Sequence, residues 1–230
     1  MPQVLLYAFV TGGALVIGAV LGCFRTPPKQ LTAGMLAFAA GALIVAVAFE
    51  LFEPAHRQAG LARASAALVV GAAAFVAVDL LLQRYAGADA VGLALVAAVT
   101  LDGVPENFAL GVGLAESGSY ALLAAIVVSN LPEAFGGAAH MRQGGLSSAR
   151  VLAVWGLTAA LLAVALVAGR LAADVASEQW LGMLAAFAAG AVLASLADSV
   201  MPEAYSEGGP LVAIATSGGF LVAYALTTLD

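Results

Sequence analysis

The sequence predicts an all-α, polytopic membrane protein. Three observations predict it. Of 230 residues, 63% are hydrophobic and only 10% are charged, against roughly half and a quarter in a soluble domain. The mean hydropathy is +1.04. The apolar residues also fall in runs of about twenty, the length that crosses a bilayer as a helix. A membrane β-barrel would instead show short alternating strands. The same arithmetic excludes a disordered chain and a soluble enzyme. Eight basic against 14 acidic residues argues against a phosphate-binding surface, so nucleic acid is not an expected partner. The lipid bilayer is.

Eight windows satisfy the length rule: 4–23, 32–53, 64–84, 90–115, 120–140, 150–171, 181–203 and 210–229. The connections are short, so residues 1–230 are expected to form one transmembrane domain. Turn chemistry marks the breaks. Pro27-Pro28 in RTPPKQ cannot continue a helix. RQGG at 142–145 and SEGGP at 206–210 mark two more. The first span lacks a basic leader and reads as one span among many rather than as a signal peptide. The single cysteine, Cys23, allows no intramolecular disulfide.

Eight crossings put both termini on one side. Arg25, Lys29, Arg84, Arg142 and Arg150 belong to the opposite side, whereas Arg57, Arg63 and Arg170 share the side of the termini. The positive-inside rule then places both termini outside a multi-pass cytoplasmic (inner) membrane protein.

Internal repetition refines the architecture. AFAAGA occurs at 37–42 in span two and again at 186–191 in span seven. Each copy runs on to an acid and a proline, in ELFEPA (50–55) and DSVMPEA (198–204). Spans two and seven are five apart and therefore cross in opposite directions. Spans four and five carry DGVPEN (102–107) and SNLPEA (129–134). The expected bundle is 3+2+3, an inverted repeat about an axis in the membrane plane, which is an architecture of transporters.

The central pair carries the chemistry. Asp102, Glu106 and Glu133 lie near mid-span, where a carboxylate costs about 3 kcal/mol on insertion scales. No Arg or Lys lies at mid-span to offset that cost. Asp102 and Glu106 are i and i+4 on one helix face. Asn130 and Glu133 are i and i+3, with Ser129 beside them. Pro105 and Pro132 each free a carbonyl, at Leu101 and Val128. An oxygen-rich cage between two such helices is chemistry for a divalent cation. Protonated carboxyls bonded across the bundle, and proton conduction without metal, are the alternatives.

These residues resemble the ZIP family of zinc and iron permeases. The resemblance rests on the eight spans, the 3+2+3 repeat and the Pro-Glu pairs in consecutive helices, and it covers essentially the whole chain. It implies that the metal ligands are Asp102, Glu106, Ser129 or Asn130, and Glu133. It also implies that the cargo is a divalent metal ion (Zn²⁺, Fe²⁺ or Mn²⁺) moving toward the cytoplasm, with no tightly bound cofactor and no catalysis. Asp102 stands where the family usually has histidine, and Gly103 where it has asparagine. An all-oxygen site is harder and leans toward Mn²⁺ or Fe²⁺. A membrane scaffold or metal sensor that keeps the fold without transport is the competing expectation. The small-residue stripe Gly12, Gly13, Gly18 and Gly22 serves close helix packing; a homodimer is compatible with the sequence but not demanded by it. His140, at the end of span five and two turns past Glu133, reads as an interfacial residue, with an exit-path ligand as the alternative.

Overall fold

Among the described residues, helices separated by short breaks account for nearly all of the chain. The computed structural model describes residues 2–85, 91–115 and 118–228, with the side chains of 83, 85, 91–99 and 102 outside the description. The ends of the expected spans at residues 90 and 229 fall outside it too.

Helix α1 (Pro2–Phe24) stops before Pro27-Pro28, and α2 (Lys29–Val45) starts directly after them. A π-helical segment (Ala46–Phe52) leads from α2 into α3 (Glu53–Ala59) without a break. Gly60, at φ 81°, ends α3, and α4 (Leu61–Tyr85) follows. Next come α5 (Val91–Gly113), α6 (Tyr120–Gln143) and α7 (Ser148–Val175). Helix α8 (Glu178–Ser195) passes through a second π segment (Leu196–Val200) into α9 (Met201–Gly208). Gly209, at φ 63°, and one 3-10 turn separate α9 from α10 (Val212–Thr227). Among the described residues, six helical stretches are long and apolar enough to cross a membrane; the last, Glu178–Thr227, is 50 residues long. This is a multi-pass membrane architecture.

The two π segments have one cause. Pro54 and Pro202 lack the N–H that an α-helix needs, and their rings crowd the carbonyl four residues back. A wider turn relieves that crowding. Accordingly the Glu53 N–H donates to the Ala48 carbonyl and the Met201 N–H to the Leu196 carbonyl, five residues back in each case. Pro105 and Pro132, in contrast, sit inside α5 and α6, which continue through them. Two serines start helices: Ser119 Oγ accepts from the Leu122 N–H at 3.0 Å, and Ser147 Oγ from the Arg150 N–H at 3.4 Å.

Packing divides the helices into two groups. Helix α1 lies along α6 and α7, and α5 lies along α7. Helix α2 lies along α10 and carries α9, while α8 lies along α4 and carries α3. The groups meet where α2 touches α6 and where α5 touches α8. Glycine brings the backbones together within each group. A Cβ on Gly41 of α2 would run into the Thr216 carbonyl of α10, and one on Gly190 of α8 into the Leu68 carbonyl of α4. Gly219 and Gly71 return the same contact against the carbonyls of Phe38 and Phe187. In the other group Gly22 lies on the Phe135 carbonyl and Gly169 on the Phe108 carbonyl. Such close approach is the main attraction available between apolar helices in lipid, where no hydrophobic force acts between them. The outer faces stay apolar and exposed, as at Phe9, Val69, Leu80, Leu157, Ile214 and Leu221.

Candidate functional site

Helices α5 and α6 touch each other, and each presents the glutamate that follows its internal proline. Glu106 is almost fully buried, 3% exposed. Glu133 is half-buried. Asp102 is on α5, but its side chain lies outside the described residues. Ser129 and Asn130, both 2% exposed, lie one turn before Glu133.

The hydrogen bonds of the neutral residues are informative about charge. Ser129 Oγ donates to the Ile126 carbonyl at 3.0 Å. Asn130 Nδ2 donates across to the Thr11 carbonyl of α1 at 3.3 Å. Asn107, beside Glu106 and fully buried, donates from Nδ2 to the Gly103 carbonyl at 2.9 Å. Each group thus donates to backbone and has an oxygen that can accept. Asn107 Oδ1 is buried with no hydrogen-bond partner, a state that costs about 1–3 kcal/mol. The unpartnered Asn107 oxygen favours a cation or a proton donor over an anion.

Glu133 also lines a cavity of about 530 Å³. Its walls come from the α1–α2 turn and the start of α2 (Thr26, Lys29, Thr32), from α6 (Glu133, Gly137, His140), and from α9 (Glu203, Glu207). The cavity therefore runs along the seam between the two packing groups. Glu133 is ten residues from the end of α6, or ~15 Å along the helix axis. Gly136 and Gly137 contribute no side chains to the wall. Lys29 Nζ pairs with Glu207 at 3.2 Å, joining the start of α2 to the end of α9.

The structure therefore unites Ser129, Asn130 and Glu133 on α6 and sets Glu106 on the neighbouring helix. Among the described residues no three of His, Cys, Asp and Glu come together as a ready-made metal cluster. His140, Glu203 and Glu207 join Glu133 around the cavity, a grouping the sequence reading did not make. The signal for His140 was its i+7 spacing from Glu133 across two glycines. The carboxylates of α9 left no such signal, because their approach depends on tertiary packing.

No family model matches the chain, and no curated protein matches it.

Proposed function

We propose that this protein is a divalent metal cation transporter that moves M²⁺ toward the cytoplasm past Glu106 and Glu133. The observation that carries the proposal is the inequality of these two glutamates. They occupy the same position after a helix-internal proline, yet one is buried and the other lines a cavity. A carboxylate pair open to one side only is what alternating access requires.

Several features support a 3+2+3 inverted repeat, as in ZIP permeases; the positive-inside rule adds eight crossings with both termini outside. Exchanging span one with six, two with seven, three with eight and four with five carries each principal contact onto another or, for α1–α7 and α5–α6, onto itself. The α1–α6 contact becomes α7–α5, and α2–α10 becomes α8–α4. Gly41 and Gly190 hold the same place in AFAAGA and make the same backbone contact. Phe108 and Phe135 each lie three residues after a Pro-Glu proline, and each offers its carbonyl to a glycine. The π segments precede Pro54 and Pro202 alike.

In this reading the cavity opens at the side bearing Arg25, Lys29 and Arg142, the cytoplasmic side by the positive-inside rule. Glu106 and Glu133 hold the ion, and Asp102, Ser129 and Asn130 complete an oxygen shell suited to a hard or borderline M²⁺. Rocking or sliding of the group α1/α5/α6/α7 against the other exposes the shell to either side. Protonation of a glutamate assists release, because metal and proton compete for one carboxylate.

The test is uptake of Mn²⁺, Fe²⁺, Co²⁺, Zn²⁺, Cd²⁺ and Mg²⁺ into proteoliposomes, with wild type beside Glu106→Gln and Glu133→Gln. Uptake of at least one ion that falls tenfold or more in both variants is expected. A second reading is a scaffold or metal sensor, favoured by the absence of a ready-made three-ligand cluster among the described residues. Folded wild type that moves none of these ions would establish that reading instead.

A further inference from the structure

The chain builds one kind of corner twice. In the first, α3 and α4 sit on α8; in the second, α9 and α10 sit on α2. Ala186 and Ala37 open the two AFAAGA motifs, and Ala55 and Ala204 end EPA and PEA. Phe52 and Met201 lie three residues before those last alanines. Ala64 and Val212 lie four residues before Leu68 and Thr216, whose carbonyls meet Gly190 and Gly41. The first corner is closed: Ala55, Ala64 and Ala186 are each 0% exposed, and Phe52 packs against them. The second is open. Ala37, Met201, Ala204, Val212 and Thr216 line a groove of about 320 Å³ there. The turns account for the difference. Gly60 alone joins α3 to α4, whereas Gly209–Leu211 join α9 to α10. The longer turn sets α10 away from α9, so these two touch less than α3 and α4 do.

We infer that the groove is a lipid site that holds one acyl chain of a phospholipid from the leaflet bordered by Lys29. Ala37 lies eight residues beyond Lys29, ~12 Å along the axis of α2, within a hydrocarbon leaflet about 15 Å deep. Water is a poor occupant, because it needs two to four polar partners. Thr216 Oγ1 donates to the Val212 carbonyl at 3.1 Å, and the alanine, valine and methionine side chains offer no strong partner. An empty groove forfeits dispersion contacts along its walls. The occupant is therefore apolar and slender. The volume takes about ten methylene-sized groups at ~30 Å³ each. Leu211 and Ile214, beside Val212 and Ala213 on α10, are exposed and continue an apolar surface toward Leu221. A chain thus enters from the bilayer without leaving hydrocarbon. A seated chain also backs α9, whose Glu203 and Glu207 line the cavity of Glu133. Lipid then supports one wall of that cavity. This site stands on its own geometry and does not depend on the transport reading.

The test uses the full chain in detergent with a few molar equivalents of a phosphatidylcholine that carries a diazirine in its acyl chain. After illumination, adducts are mapped by mass spectrometry. Residues 201–216 are expected to carry at least fivefold more adduct than the exposed face of α4 at Val69 and Val70, which has no groove. Met201→Phe with Thr216→Leu gives the groove the side chains found at the closed corner. That variant should abolish the excess and leave labelling of α4 unchanged. Equal labelling of the two faces in wild type, or an undiminished excess in the folded double variant, overturns the inference. If the double variant fails to fold, Ala213→Phe fills the groove from an exposed position of α10 and is read in the same way. Adducts that appear in the groove only after dilution to monomers assign it to a second copy of the chain, and also overturn the inference.

Discussion

Asn130 of α6 reaches the backbone of Thr11 in α1, its Nδ2 donating to the Thr11 carbonyl at 3.3 Å. Both residues are buried, at 2% and 0% exposure. The bond fixes the amide so that Oδ1 is left as its acceptor end, and it ties the site-bearing helix to its neighbour. Removing it should cost about 1 kcal/mol, and placing a carboxylate against the Thr11 carbonyl should cost more. Thermal unfolding in detergent should rank wild type above Asn130→Ala, and Asn130→Ala above Asn130→Asp. Equal midpoints for Asn130→Ala and Ser129→Ala, whose hydroxyl bonds only within its own helix, would show that the tie contributes nothing.

The glycine contacts predict a matched pair of stability losses. Gly41 and Gly190 each face a neighbouring helix carbonyl with no room for a methyl group. Gly41→Ala and Gly190→Ala should each destabilise by roughly 1–3 kcal/mol through overpacking. Gly13→Ala, where nothing lies within 4 Å of a built Cβ, should be neutral. Unfolding midpoints of the three variants check this, and a large loss at only one of the pair would argue against equivalent packing.

Metal preference should follow the donor atom at position 102. Exchanging a carboxylate for an imidazole softens the site and favours Zn²⁺ over Mn²⁺. In competition uptake, Asp102→His should raise the Zn²⁺ to Mn²⁺ ratio at least tenfold. An unchanged ratio would remove Asp102 from the ligand set.

Topology is open to direct measurement. A cysteine placed after the C-terminus in the Cys23→Ser protein should react with an impermeant maleimide on intact cells. Labelling only after the membrane is opened would put the termini inside and reverse the proposed direction of the cavity.

The pairing of Lys29 with Glu207 closes no core and is largely solvent-exposed on the lysine side. Surface pairs of this kind contribute little. Lys29→Met should leave the unfolding midpoint within the error of the measurement. A clear fall would show that the pair anchors α9 to α2.

The helices themselves were legible in the sequence because lipid imposes a local rule. Every backbone polar group must be satisfied within its own segment, so runs of apolar residues bounded by Pro27-Pro28, Gly144-Gly145 or Gly208-Gly209 declare where helices begin and end. The repeated AFAAGA and the two Pro-Glu motifs were legible for the same reason: they are short and contiguous. The π segments were not. Periodicity signals an α-helix in ELFEP and DSVMP, and only the clash of each proline with the preceding turn widens it. The candidate site was half legible. Spacing on one helix put Ser129, Asn130 and Glu133 together, because i, i+3 and i+4 relations are fixed by helical geometry. Spacing could not bring His140, Glu203 and Glu207 around Glu133, nor send the Asn130 amide to Thr11. It also could not make Glu106 buried while Glu133 faces a cavity. Those are relations between helices, set by which glycines allow two backbones to touch and by which faces the helices then turn to one another.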